Sequence, residues 1–143
     1  MKNSPTVLLL AVVLTACATT PISPTKAKQV SADRIFLTEK VSVEGSVRVI
    51  FVRDTGMNSS GVYQHVYIDG KKAASLNPGE KVEFVLAPGE HIFGSIPTDV
   101  LGVSTLNTID QDLKAGRTYY YRIQTDNHFR TEVQRFVPND EQR

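Results

Sequence analysis

From residue 46 onward, apolar side chains recur at every second position in short runs, and each run is cut by a glycine, a proline or an Asx residue. Residues 46–53 (Ser-Val-Arg-Val-Ile-Phe-Val-Arg) are β-branched and apolar on both faces, the pattern of a strand buried in the middle of a sandwich. Residues 54–61 hold two glycines, an asparagine and two serines and read as a loop. Residues 62–69 alternate, with Val62, Val66 and Ile68 on one face and Tyr63, His65 and Tyr67 on the other. Asp69-Gly70 predicts a tight hairpin, and residues 72–76 return from it.

The rhythm then repeats. Asn77-Pro78-Gly79 turns into a strand over 80–86, and Pro88-Gly89 turns into a strand over 91–96. Residues 100–113 alternate loosely, with Leu101, Val103, Leu106, Ile109 and Leu113 as core candidates. A turn at 114–117 leads into a tyrosine-rich strand over 118–125, and Asp126-Asn127 turns into a last strand over 129–137. Seven to eight short strands, with turn signals about every ten residues and no long amphipathic helix, predict an antiparallel β-sandwich occupying residues 30–138. Residues 30–40 are ambiguous. Ser31-Ala32-Asp33 can open a helical turn, and 34–38 can be a strand or an irregular lead-in.

The N-terminus follows another logic. Lys2 precedes an apolar run over 7–14, which ends in Leu14-Thr15-Ala16-Cys17. The run is about half the length of a membrane helix. The tetrapeptide resembles the lipobox of bacterial lipoproteins. That resemblance implies a signal peptide over 1–16, cleavage before Cys17 and acylation of the Cys17 sulfur. Ala18 resembles the residue that follows the cysteine in outer-membrane-directed lipoproteins. The implied place is the cell envelope, at the outer membrane, facing the periplasm or the surface. Several acyl chains hold a protein firmly where one does not. Residues 17–29, rich in Thr and Pro, read as a flexible tether, and 139–143 as a polar tail.

Composition narrows the partners. The 143 residues carry 16 basic and 15 acidic side chains. Lys2 is the only charge ahead of Cys17, so cleavage leaves the two signs equal. That balance argues against nucleic acid and against a polybasic membrane patch. Cys17 is the only cysteine, so no internal disulfide is possible.

Val66-Tyr67-Ile68-Asp69-Gly70-Lys71, then Leu86-Ala87-Pro88-Gly89-Glu90-His91, then Ala115-Gly116-Arg117-Thr118-Tyr119-Tyr120 form an ordered set of turns. Together with the strand ending at Arg53, the set resembles small bacterial lipoproteins of unknown function. The resemblance covers roughly residues 47–125. It implies an immunoglobulin-like or transthyretin-like sandwich behind a lipobox, and it carries no catalytic residues with it.

Candidate chemistry is sparse. His65, His91 and His128 lack a second ligand at metal spacing, so neither a metal nor a cofactor is expected. Glu80, Glu83 and Glu90 read as solvated surface charge. Ser59-Ser60-Gly61 lacks the frame of a nucleophile elbow. Tyr63, His65 and Tyr67 are the candidate binding residues, because tyrosines supply flat contact area at low entropic cost. The expectation is a non-catalytic envelope lipoprotein that binds or scaffolds a protein or glycan. Two alternatives stay open: an envelope hydrolase using distant carboxylates, and a structural subunit of a secretion machine.

Overall fold

The computed structural model describes residues 19–38, 45–56, 60–99, 102, 104–126, 128 and 130–139. Cys17 and the residues ahead of it lie outside the described residues, as do Met57, Val100, Leu101, Val103, Phe129 and the last four positions. Among the described residues the strands are β1 (Lys28–Gln29), β2 (Val47–Arg53), β3 (Gln64–Ile68), β4 (Lys71–Leu76), β5 (Glu80–Leu86), β6 (Gly89–Pro97), β7 (Asn107–Leu113), β8 (Thr118–Thr125) and β9 (Thr131–Phe136). They form two sheets, β1-β5-β2-β8-β9 and β4-β3-β6-β7.

The sandwich is as expected, with nine strands among the described residues in place of seven to eight and with two pairs that are not antiparallel. The central pair β2·β8 is parallel, with Ile50 opposite Tyr120, and β1·β5 is parallel too. Every other strand pair is antiparallel. Asp69 and Gly70 sit at φ 49° and 76°. Those paired positive angles give a turn whose twist matches the β3–β4 hairpin, which is why Asp-Gly stands there.

Inward-facing residues of both sheets make one core. Val47, Val49, Phe51, Val66, Ile68, Val82, Phe93, Tyr121 and Ile123 are all buried in it. Phe51 is its centre. Its ring stacks on Tyr121 at 5.4 Å and meets Phe93 edge-on at 5.2 Å, while Phe93 meets Tyr121 at 4.9 Å. Such aromatic pairs add to simple area burial. Tyr121 places its hydroxyl 2.9 Å from Gln111 Oε1, and burial pushes its phenol up.

The N-terminal segment corrects the tether expectation. From Thr20 the chain is fixed to the sandwich, not held away from it. Thr20 N–H donates to Thr55 O at 2.6 Å, and Thr55 N–H donates back to Thr20 O at 3.0 Å. Lys28 and Val30 N–H donate to Gly79 O and Lys81 O, and Lys81 Nζ donates to Pro24 O. Ile22 and Ala27 pack on Ile50, Val52, Tyr120 and Phe136, the outer face of the five-stranded sheet. The doubly apolar pattern of β2 therefore has a concrete cause: one face meets the core and the other meets this segment.

The same segment then closes one side of the sandwich. β1 takes the free edge of β5. A 3₁₀ turn at Ala32–Arg34 follows, and Phe36 and Leu37 N–H donate to Ala73 O on the edge of β4. Covering an edge strand removes a template for unwanted pairing. On the opposite side β7 and β9 approach each other, and Val133 N–H reaches Asn107 Oδ1 at 3.3 Å.

Within the stretch read as loosely alternating over 100–113, the described strand is Asn107–Leu113, Leu106 is exposed instead of core, and the core candidates Leu101 and Val103 lie outside the described residues. Leu106 has a place all the same. A side chain on Gly94 of β6 would meet Leu106 Cδ1 at 3.1 Å and Thr108 Cγ2 at 3.2 Å, so the glycine lets Leu106 lie close against β6, and a larger residue would push it aside by a few tenths of an ångström. The last strand runs over Thr131–Phe136, shorter than the 129–137 expected, and Pro138 is buried beside residues 21–24.

Candidate functional site

The three candidate binding residues share the outer face of the four-stranded sheet. His65 and Tyr67 alternate with the core-facing Gln64, Val66 and Ile68 on β3, and Tyr63 continues that face just ahead of the strand. Ser75 and Ile96 flank His65, while Lys72 and Gly94 flank Tyr67. Ile92 and Thr108 extend the face across β6 and β7. Tyr63 is 41% exposed, Ile92 49% and Leu106 41%, so flat aromatic and aliphatic surface is presented to solvent.

The structure does not make the three residues equal. His65 is the least available. Its Nδ1 lies 2.8 Å from Ser75 Oγ and its Nε2 lies 3.0 Å from Thr98 Oγ1, so both ring nitrogens are engaged. Burial, with Lys72 nearby, holds its pKa below the ordinary imidazole range, which favours the neutral ring. Tyr67 is half-buried between Lys72 and Gly94. Tyr63 is the most available, and its ring lies 5.3 Å from the Arg34 guanidinium.

Arg34 links this face to the N-terminal segment. Its two terminal nitrogens donate to Glu80 Oε2 and Oε1 at 2.6 and 2.7 Å, and Nη1 also donates to Ser75 O. Glu80 Oε2 in turn accepts Asn77 N–H at 2.7 Å. Burial alone would raise the Glu80 carboxyl; the Arg34 and Asn77 donors outweigh it and hold it below the usual range. The fork fixes Tyr63's neighbour from a residue 46 positions away, a pairing that sequence spacing does not reveal.

The other titratable groups serve the scaffold. Glu83 pairs with Arg48 through two bonds of 2.8 and 2.9 Å on the outer face of the five-stranded sheet. His91 sits 2.7 Å from Asp69 Oδ2 and 2.9 Å from Ala87 O, in a cleft of about 620 Å³ shared with Glu90, Asp110 and Asp112. His128 is exposed, and its N–H donates to Asp126 Oδ1. Among the described residues no group of three or more His, Cys, Asp or Glu is arranged to hold a metal ion.

Three buried polar positions escaped the sequence reading. Gln64 occupies a core-facing site, where it bonds Thr131 Oγ1 at 3.0 Å and lies 3.3 Å from Thr125 Oγ1 and Ser95 Oγ. Arg53 is buried and donates to Val62 O and Leu76 O, each at 2.7 Å, and burial lowers its pKa to about 10. Asp54 is buried beneath residues 20–22. Its Oδ1 lies 3.0 Å from Arg122 Nε and 3.3 Å from Ile22 N, while among the described residues Oδ2 has no hydrogen-bond partner. Burial therefore dominates the Arg122 attraction and raises the Asp54 carboxyl to about 6.

Comparison with known proteins supplies no identity: neither a family model nor a curated protein matches this chain.

Proposed function

We propose that this chain is a lipid-anchored protein of the bacterial cell envelope whose sandwich binds a protein or glycan through the outer face of β4-β3-β6-β7 without catalysing a reaction. The anchor rests on Leu14-Thr15-Ala16-Cys17 and on the resemblance of the turn set to small lipoproteins. The binding face rests on one observation. Residues 20–30 cover the Ile50 and Val52 part of one sheet's outer face, whereas among the described residues the other sheet keeps Tyr63, Tyr67, Ile92 and Leu106 on or beside its outer face, partly or largely in solvent. Rigid tyrosines on a sheet provide contact area that is already ordered before binding.

A non-catalytic role is supported by what the carboxylates do. Glu80 holds Arg34 and Asn77, Glu83 holds Arg48, and Asp69 holds His91 and the Ile92 N–H. Each is spent on the fold, whereas hydrolysis needs two carboxyls facing each other across a substrate gap.

The test has two parts. Labelled fatty acid should enter the normal chain and not Cys17→Ser. A photo-crosslinker at Ile92, on the same face, should capture one reproducible partner in membranes, and Tyr63→Ala with Tyr67→Ala should abolish that capture in a chain that remains folded. No label would remove the anchor; repeated failure of capture would remove the binding face.

A further inference from the structure

We infer that the sandwich stands end-on against the lipid surface, with the C-terminal ends of β2, β6 and β8 facing the headgroups and the Tyr63 end of the open face nearest the bilayer. This rests on the Cys17 anchor proposed above, and it deepens that reading by naming the surface that meets the membrane.

The first observation is the distance along the chain. Thr20 is locked to Thr55 by reciprocal backbone hydrogen bonds, and Thr55 Oγ1 adds a third bond to Thr20 O at 3.0 Å. Thr20 lies three residues after Cys17, so its Cα is at most about 11 Å from the Cα of the acylated residue. A domain fixed that close to its anchor has no long spacer to stand off on.

The second observation is which end Thr20 occupies. Thr55 follows the C-terminus of β2, and the parallel strand β8 ends beside it at Thr125. β9 starts at this end and β6 finishes there, since Thr125 pairs with Thr131 and Gln64 with Pro97. The C-terminal ends of β2, β6 and β8 therefore share the anchored end. The β3–β4 hairpin, Ala87-Pro88 and the turn after β7 lie at the other. Strands of seven to eight residues separate the two ends by roughly 25 Å.

The third observation is the chemistry of the two ends. Exposed described residues at the anchored end include Ser60, Gly61, Gly102, Thr105 and Leu106 and the charged Lys28, Asp99, Arg130 and Glu132, with the half-buried Asp126 paired to Arg130. The far end carries Asp69, Lys71, Glu90, Asp112, Lys114 and Arg117. Both ends carry charge, so the placement rests on the distance along the chain and on the end that Thr20 occupies.

The experiment uses the full acylated chain in vesicles of phosphatidylethanolamine and phosphatidylglycerol. Fluorophores at Ser60→Cys or Thr105→Cys report the anchored end, and fluorophores at Ala87→Cys or Arg117→Cys report the far end. Lipids carrying a quencher near the headgroup should quench the first pair several-fold more than the second. A flexible Gly/Ser spacer inserted between Ala18 and Thr19 should erase that difference, because the domain can then turn freely. Equal quenching at both ends of an acylated chain without the spacer, or stronger quenching at the far end, overturns the end-on placement and leaves the anchor standing. A chain that takes up no fatty acid overturns the anchor and the placement together.

Discussion

The two outer faces of this sandwich have opposite fates. On the five-stranded sheet, Ile50 and Val52 lie under Ile22 and Ala27 and are shielded from water. On the four-stranded sheet, Tyr63 and Ile92 keep two-fifths to a half of their surface in solvent. Both faces are built by alternation along central strands, so secondary structure alone does not distinguish them. What distinguishes them among the described residues is a segment of the chain that packs over Ile50 and Val52 on one and, after the 3₁₀ turn, meets the other at the β4 edge and, through Arg34, at Tyr63. An apolar face that the chain covers itself contributes to stability; one it leaves bare is available to something else.

The largest expected effect comes from placing one change on each face. Val52→Asp puts an unpartnered charge beneath the N-terminal segment and should cost about 3–5 kcal/mol, by the reasoning that applies to any uncompensated buried charge. Ile92→Asp should cost under about 1 kcal/mol, since its site is half in water. Urea titration of the two variants checks the contrast. Similar losses would mean that the faces are not different in kind.

Titration sharpens the comparison, because each face holds a group with a displaced pKa and the two act in opposite directions. Asp54 has its folded value raised to about 6 from 3.8. Its contribution to stability is therefore complete below about pH 4 and is lost as pH rises through 6, an amount on the order of 2–3 kcal/mol. His65 has its folded value lowered from 6.5, so its contribution is present above that pH and is lost as pH falls. Denaturation midpoints across pH 4–7 should separate them. Asp54→Asn should remove the gain on acidification, and His65→Gln should remove the loss. If both variants shift the profile the same way, one of the two environments is wrong.

A smaller effect is expected where the N-terminal segment meets the open face. Glu80→Ala removes both bonds to Arg34 and the bond to Asn77 N–H, and should cost about 2 kcal/mol. Because Arg34 lies over Tyr63, the same change should also weaken any contact made by that ring. A double-mutant cycle with Tyr63→Ala measures that coupling. The smallest effect is Tyr63→Ala itself, which should move stability by under about 1 kcal/mol while removing partner capture. A large loss of stability would return Tyr63 to a packing role.

Much of the sandwich was legible because strand period and turn chemistry are local. The Asp69-Gly70 hairpin and the limits of β5 and β8 follow from neighbours in sequence. The parallel pairing of β2 with β8 was not legible, since it joins strands about seventy residues apart and leaves no local mark. Residues 20–29 were misread for a related reason. Thr and Pro give them an extended backbone, and extended backbone suits a tether and a covering segment alike. Ile22, Ala27 and Val30 decide between the two, but only once Val52 and Lys81 are known to lie beneath them. Gln64 was missed because a buried amide breaks the apolar alternation, and its partners on β6, β8 and β9 come from distant parts of the chain.

Hydrogen exchange at the N-terminal segment tests the central claim most directly. If residues 20–30 belong to the sandwich, the Thr20, Lys28 and Val30 amides, which donate to Thr55, Gly79 and Lys81, should exchange far more slowly than solvent-exposed amides. Exchange of these three at the rate of an unstructured chain, in a protein whose β2 and β8 amides remain protected, would contradict the account and restore the segment to a tether.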